Sequence, residues 1–319
     1  MEIRKKYMTE YGNIKVGFCV SYDWEFLKIS VPRVYEYADI ICLGIDKNRY
    51  SWSGNPYKFD EKAFRDFLTS IDKQNKIVLL EGNYSSPTLN SRENCNLQRK
   101  EIAERMGSNG WHIQIDSDEY FLDFKGFADY LKGLNPSPKE SDKPINICCP
   151  FIPLIKQIDD GFLYVDFGDN EPEMMPFATN QPVYLRARNN GHFNHYSKFW
   201  VVHQSWARDE SELWFKINNW GHSSEELQLV KFRESYFRLW KALNKYNCHF
   251  LSNFHPAKPS TWPSLKWGEG ATINMFMDSI KPPKSNYLSD YRLFIKNSRN
   301  ISRIKQMKRR FSVKQSTSE

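Results

Sequence analysis

The sequence predicts an α/β protein with a mostly parallel sheet that is covered by helices on both faces. Three observations support this fold class: β-prone runs alternate with helical patterns in the first 130 residues, one of these runs (residues 38–45) is almost continuously apolar, and the periodicity changes after a Pro- and Ser-rich stretch at 134–144. Alternating strands and helices favour parallel strands with right-handed crossovers, and a continuously apolar strand is typical of a sheet buried on both faces.

Local patterns predict each element of the first half in turn. Asp60 can cap a helix, Gly107 can stop one, and Pro32 must start, bend or interrupt the helix that contains it. The expected strands cover residues 14–20, 38–45, 76–80 and 111–115, and the expected helices cover 24–37, 60–71, 91–106 and 124–131.

The second half is expected to open with a mixed or antiparallel sheet and to continue with helices. Ser223-x-x-Glu226 has the pattern of a capping box before a long helix. Strands are predicted at 145–154 and 162–167, which flank a turn at Asp160-Gly161, at 183–188, where apolar and polar residues alternate, and at 199–203.

Composition and charge narrow the function classes. The chain has 319 residues, of which 40% are hydrophobic, so it can bury a large core, and no apolar run is long enough to cross a bilayer. The first residues lack the apolar core of a secretory signal, so a cytoplasmic location is expected. The six cysteines include no Cys-x-x-Cys pair and are predicted to be buried thiols.

The positive charge is concentrated at the end of the chain. Residues 291–319 contain nine Lys or Arg and one acid, a local charge of +8 within a total of +7. Ile301, Ile304, Met307 and Phe311 recur at helical spacing there, which is typical of a basic helix on an anionic membrane surface; a flexible basic terminus is the alternative. Nucleic-acid binding is not expected, because no reader motif accompanies the basic segment.

The most informative motif is Asp116-Ser117-Asp118, hereafter the strand-end motif, which follows the fourth predicted strand and precedes Glu119. Residues two apart in an extended chain point the same way, so both aspartates can face one pocket. Hard carboxylate oxygens suit Mg²⁺ or Mn²⁺, which can in turn hold a diphosphate. Taken alone, such a motif is also common in solvated loops and helix caps.

Four segments resemble glycosyltransferases of the GT-A fold, close to the family 2 type: Val16–Ser21, Ile40–Asp46, Gln98–Ala103 and Ile113–Phe121. The segment 203–223 is similar to the acceptor-side half of a bacterial subgroup, so the resemblance covers roughly residues 14–225. It implies a nucleotide-sugar (donor) half at 1–133, an acceptor-side lobe of mixed sheet and helices at 145–290, and a basic C-terminal tail at 291–319.

The resemblance also implies roles for individual residues. Asp118 would bind Mn²⁺ or Mg²⁺ directly, Asp116 would contact the metal or the ribose, and His222 or His203 would complete the metal shell. Asp23 departs from the family pattern, which commonly has Asn there. The expected donor contacts are Ser21, Asp23, Asp46, Asp116 and Trp52.

The sequence gives less direct evidence about which residue deprotonates the acceptor. An inverting reaction needs a base to take the proton of the acceptor hydroxyl, and Asp209, Glu210 and Glu212 are the candidates, with the acidic first turn of a helix as the alternative reading. A retaining reaction would not need this base. Trp52 and Trp220 are candidates for stacking on a sugar ring.

The predicted activity is transfer of a sugar from a nucleotide-diphosphate sugar to a glycan or lipid-linked acceptor. The resemblance implies that this transfer takes place in bacterial surface-polysaccharide assembly. Contact with the inner face of the membrane would occur through the basic tail. Two other function classes fit a carboxylate pair on this fold. One is a metal-dependent nucleotidyltransferase or phosphohydrolase, and the other is a non-catalytic nucleotide- or glycan-binding protein.

Overall fold

The computed structural model describes residues 13–219, 230–255 and 261–301. Within these ranges the fold is α/β. Eleven strands form one sheet of parallel and antiparallel pairs, and helices flank it. Four parallel strands lie side by side in the order β3-β2-β1-β4. They are β1 (Ile14–Val20), β2 (Ile40–Asp46), β3 (Ile77–Gly82) and β4 (Trp111–Asp116).

The helices of the first half alternate with these strands as the sequence predicts. They are α1 (Leu27–Tyr35, entered through a 3₁₀ turn at Trp24–Phe26), α2 (Glu61–Ile71), α3 (Ser91–Met106) and α4 (Phe124–Leu134). The Asp60 carboxylate caps α2 by accepting from the Ala63 amide at 2.9 Å. Pro32 lies inside α1, and Asn90 is the residue that caps α3.

Helices cover both faces of the parallel strands. Leu43 of β2 packs in the core cluster that includes residues of α1, α2 and α4, whereas its neighbour Cys42 packs with Ile102 of α3 on the other face. Gly17 and Gly44 face α3, and a Cβ at either position would lie only 2.4 Å and 2.6 Å, respectively, from Ile102. Glycine therefore lets α3 approach the sheet closely.

The second half extends the same sheet. β8 (Met174–Thr179) pairs antiparallel with β4 on one side and with β6 (Ile145–Ile158) on the other, so strands from both sides of residues 134–144 join one sheet. The added strands are β5 (Glu119–Phe121), β6 (Ile145–Ile158), β7 (Gly161–Asp166), β8 (Met174–Thr179), β9 (Phe193–Tyr196), β10 (Val201–His203) and β11 (Ser264–Glu269). The added helices are α5 (Glu210–Asn219), α6 (Val230–Ala242), α7 (Ile273–Ser279) and α8 (Asp290–Asn297).

One predicted strand was wrong. Residues 183–188 form no strand: the chain turns back on itself, the backbones of Arg186 and Asn189 pair, and Ala187 has a left-handed φ of 51°. The turn carries Arg188 into the interior, where it is 6% exposed. The strand predicted at 199–203 is shorter than expected and begins at Val201.

The prediction about the cysteines is confirmed, and several other predictions concern residues outside the described ranges. All six cysteines are buried free thiols. No helix in the described ranges is both long and apolar enough to cross a membrane. His222, Trp220, the capping box Ser223-x-x-Glu226 and the tail from residue 302 onward lie outside those ranges.

Candidate functional site

A cavity lies at the carboxyl-terminal edge of β1 and β4. Ser21, Tyr22 and Asp23, which follow β1, line it together with residues 116–119, which follow β4. The chain runs from β1 to β2 and β3 on one side of β1, and the crossover from β3 then places β4 on the other side, so the gap between β1 and β4 is a switch point of the sheet. Open α/β sheets bind their ligands at such points.

Side chains from both halves of the chain complete the wall. α3 supplies Arg99, and the 187–189 turn supplies Arg188. β10, the loop after it and α5 supply four further residues on the opposite side. These are His203, Ser205, Trp206 and Lys216.

Asp116 is paired with a buried cation. Nη2 of Arg99 donates to its Oδ1 at 2.6 Å, and the arginine side chain is 2% exposed against 28% for the aspartate. Burial by itself would raise the pKa of Asp116, but Arg99 and Arg188 outweigh it and hold that pKa below its usual value. Asp116 is therefore ionised at neutral pH.

Asp118 faces three basic side chains. Its Oδ2 accepts from Nη2 of Arg208 at 2.5 Å and from Nζ of Lys216 at 2.8 Å, and its Oδ1 lies 3.6 Å from Nε2 of His203. Burial opposes ionisation of Asp118, yet Lys216, His203 and Arg208 hold its pKa well below the usual range. For Lys216, burial and the charge of Arg208 lower the pKa.

Arg208 ties the two strand ends together. Its Nη2 also donates to Oδ2 of Asp23 at 2.8 Å, so one guanidinium nitrogen bridges the carboxylate after β1 and the carboxylate after β4. The guanidinium also lies 4.6 Å above the ring of Phe26. Its position is thus fixed by charge, by hydrogen bonds and by the aromatic ring.

Glu119 lines the cavity and forms a buried ion pair with Arg188. Nη1 and Nη2 of Arg188 donate to its two oxygens at 2.7 Å and 2.6 Å, and both side chains are buried. The same carboxylate accepts from the backbone amide of Asp116 at 2.8 Å. This contact fixes the backbone of the strand-end motif.

The structure brings most of the predicted site residues together. The cavity is lined by Ser21, Asp23, Trp52, Asp116, Asp118 and His203. Nε1 of Trp52 donates to Gln98 at 2.6 Å, which orients the indole. His222, the other predicted metal ligand, lies outside the described residues.

Asp46 lies at the end of β2 as predicted, but its carboxylate is used by the backbone. Its Oδ1 accepts from the amides of Asn48 and Tyr50 at 2.9 and 3.1 Å, and its Oδ2 accepts from the amide of Tyr84 at 2.8 Å. Asp46 is 2% exposed and is not among the residues that line the cavity. It holds the loops after β2 and β3 together instead.

The three predicted base candidates lie at the start of α5, away from the cavity lining. Oδ1 of Asp209 accepts from the Glu212 amide at 2.8 Å, in the manner of a helix cap. Glu210 pairs with Lys241 of α6 at 2.7 Å on the surface. None of the three lines the cavity, although Glu212 lies near enough to Asp23 and Arg208 to interact with their charges; burial and Asp209 raise the pKa of Glu212.

Basic side chains occupy one carboxylate oxygen of each aspartate of the strand-end motif in this arrangement. Asp118 directs Oδ2 to two cationic groups and Oδ1 towards His203, and Oδ1 of Asp116 is held by Arg99. No group of three or more His, Cys, Asp or Glu side chains suited to a metal occurs within residues 13–219, 230–255 and 261–301. The Mn²⁺ or Mg²⁺ prediction stays a prediction, because His222 is not described.

Four cationic residues of the site were not predicted: Arg99, Arg188, Arg208 and Lys216. A signal was present for two of them. Arg99 is on the same helical face as Cys95 and Ile102, and Lys216 is adjacent to the buried Leu213 and Ile217 in helical spacing. A charged residue on an apolar helix face needs a buried partner, which points to a site.

The fold and the cavity together place the chain among α/β proteins with a candidate ligand site at a switch point of the sheet. A comparison with known protein families finds no matching family model, and a comparison with curated proteins finds no match.

Proposed function

We propose that this protein is a glycosyltransferase of the GT-A type, which transfers a sugar from a nucleotide-diphosphate sugar to a glycan or lipid-linked acceptor. One observation carries the proposal: the cavity at the switch point joins Asp23, Asp116 and Asp118 at two neighbouring strand ends to buried cations. A ligand that combines a diphosphate with several hydroxyl groups matches this mixture of charges.

The transfer consists of one substitution at the anomeric carbon. The acceptor oxygen forms a bond to that carbon while the bond from the carbon to the diphosphate oxygen breaks, and its electron pair leaves with the nucleoside diphosphate. The acceptor proton passes to a base. Cationic side chains near the leaving oxygen lower the barrier, because negative charge develops there.

The opposite side of the cavity has the character of an acceptor subsite. Trp262 and His255 line it, and their rings lie 4.6 Å apart. Aromatic faces suit the apolar face of a pyranose. Glu173 lines the same side and accepts from Nε1 of Trp262 at 3.2 Å, so we propose Glu173 as the base that takes the acceptor proton.

The test is release of nucleoside diphosphate from a panel of nucleotide-diphosphate sugars, measured with and without oligosaccharide and lipid-linked acceptors. We expect release that increases with an acceptor. Glu173→Gln is expected to lower kcat roughly a hundredfold or more while the KM for the donor changes little. Glu171→Gln is the matched control, because Glu171 is exposed and pairs with Lys296 instead.

Other outcomes of this assay assign the alternatives. Consumption of nucleoside triphosphates or phosphate esters in place of nucleotide sugars would favour a nucleotidyltransferase or phosphohydrolase. Donor binding without release under any condition would favour a binding protein. A larger loss of kcat in Asp209→Asn or Glu210→Gln than in Glu173→Gln would return the role of base to the start of α5.

A further inference from the structure

Each aspartate of the strand-end motif holds one buried basic side chain at the cavity surface. Asp116 holds Arg99, and Asp118 holds Lys216, and all four residues line the cavity. Arg208 lies behind them as the second partner of Asp118. The motif thus presents cations to the cavity from two sides, α3 and α5.

Arg99 has hydrogen-bonding capacity that the protein does not use. Nη2 donates to Asp116, but Nε and Nη1 are buried and have no hydrogen-bond partner among the described residues, apart from the neighbouring thiol of Cys95. A thiol is a weak acceptor. An unpaired buried donor is costly, and Arg99, unlike Arg33 and Arg208, which also have such a donor, lines the cavity, where an anionic ligand could accept from it.

The charges around the motif also disfavour a divalent ion. Arg99, Arg188, Arg208 and Lys216 each contact a carboxylate of the site, so no carboxylate of the motif is left without a positive partner. A divalent ion that bound Oδ2 of Asp118 would have to displace Lys216 and Arg208 from it. A diphosphate needs no such displacement, because it accepts hydrogen bonds from the same ammonium and guanidinium groups.

We propose that Lys216 and Arg99 bind the diphosphate of the donor, and that Asp118 and Asp116 position these two cations instead of ligating a divalent metal. This inference rests on the proposed function. Lys216 neutralises the diphosphate oxygen that receives the electron pair when the bond to the sugar breaks. Asp118 and Asp116 act through the cations and are positioning residues.

The experiment is calorimetric titration of the full chain with UDP, GDP, CDP, ADP and dTDP, in excess EDTA and again with Mn²⁺ or Mg²⁺. We expect at least one nucleoside diphosphate to bind in EDTA with an affinity that neither metal changes. Lys216→Gln and Arg99→Gln should each weaken that binding roughly ten- to a hundredfold, the usual worth of a charged hydrogen bond. Binding of the corresponding nucleoside, which has no phosphate, should stay unchanged.

Controls separate this role from a structural one. Lys241→Ala removes a surface lysine that pairs with Glu210 and should leave binding unchanged. Lys216→Arg keeps the positive charge and should restore most of the affinity. Asp118→Asn should weaken diphosphate binding without weakening nucleoside binding.

Two results would overturn the inference, and they are distinguishable. Binding that is lost in EDTA and restored by Mn²⁺ or Mg²⁺ would overturn the role of the cation pair while leaving the proposed function in place. Absence of binding by every nucleoside diphosphate, with and without metal, would overturn both. The first comparison uses the unaltered protein, so it does not depend on whether a variant folds.

Discussion

Replacing Arg188 by methionine is expected to lower the free energy of unfolding by about 3–5 kcal/mol, because Glu119 is left buried without its positive partner. Both oxygens of Glu119 accept from Arg188, whose side chain is 6% exposed, whereas the glutamate side chain is fully buried. Arg188 also donates to the carbonyl of Gln114 at 3.0 Å, and the variant loses this hydrogen bond as well.

Denaturation in urea measures this effect. Lys125→Met is the control, since Lys125 and Asp129 form an exposed pair on α4 and its loss should leave the free energy of unfolding almost unchanged. The double variant Glu119→Gln with Arg188→Met should recover part of the loss, because it removes the isolated charge. Equal stability of Arg188→Met and the wild type would contradict the assignment of this pair as a buried ion pair.

Asp118→Asn is expected to lower the free energy of unfolding by about 3 kcal/mol at neutral pH. The neutral amide leaves Lys216 beside Arg208, and the remaining carboxylate, that of Asp23, contacts only the arginine. The two cations then repel each other in a buried site. Lys216→Met added to Asp118→Asn should restore part of the stability, because it removes one of the two charges.

Asp118→Asn is also expected to change how the free energy of unfolding depends on pH in the acid range. The folded-state pKa of Asp118 lies well below its usual value, so the unfolded chain takes up the proton first as the pH falls. The contribution of Asp118 is therefore fully present above about pH 4 and is lost as the pH decreases further. Stability measured from neutral pH to about pH 3 should fall less steeply in Asp118→Asn than in the wild type. Asp66→Asn, an exposed control on α2, should follow the wild type.

The parallel half of the fold could be predicted because its signals are local. A continuous apolar run, such as that of β2, and a capped amphipathic pattern, such as that of α2, fix an element without distant contacts. The alternation at 183–188 was misleading for the opposite reason. The position of Arg188 depends on Glu119, which is 69 residues away in the sequence, so no local pattern contains it.

For the site, the sequence predicted where several residues lie but not which partners their side chains contact. The strand-end rule brings Ser21 and Asp23 to Asp116 and Asp118, because parallel strands end at one edge of a sheet. It also predicted Asp46 at that edge, but the rule gives the position of a residue and not the partner of its side chain. Which cation each aspartate would hold depends on how α3 and α5 pack, and that is a tertiary property.

The most direct test of the donor site is a crystal structure of the protein with the nucleoside diphosphate that binds best. We expect the diphosphate to lie in the cavity between Asp23 and Asp118, with its oxygens within hydrogen-bonding distance of Lys216 and Arg99. A nucleotide bound elsewhere on the protein, or one whose phosphates point away from the strand-end motif, would contradict it.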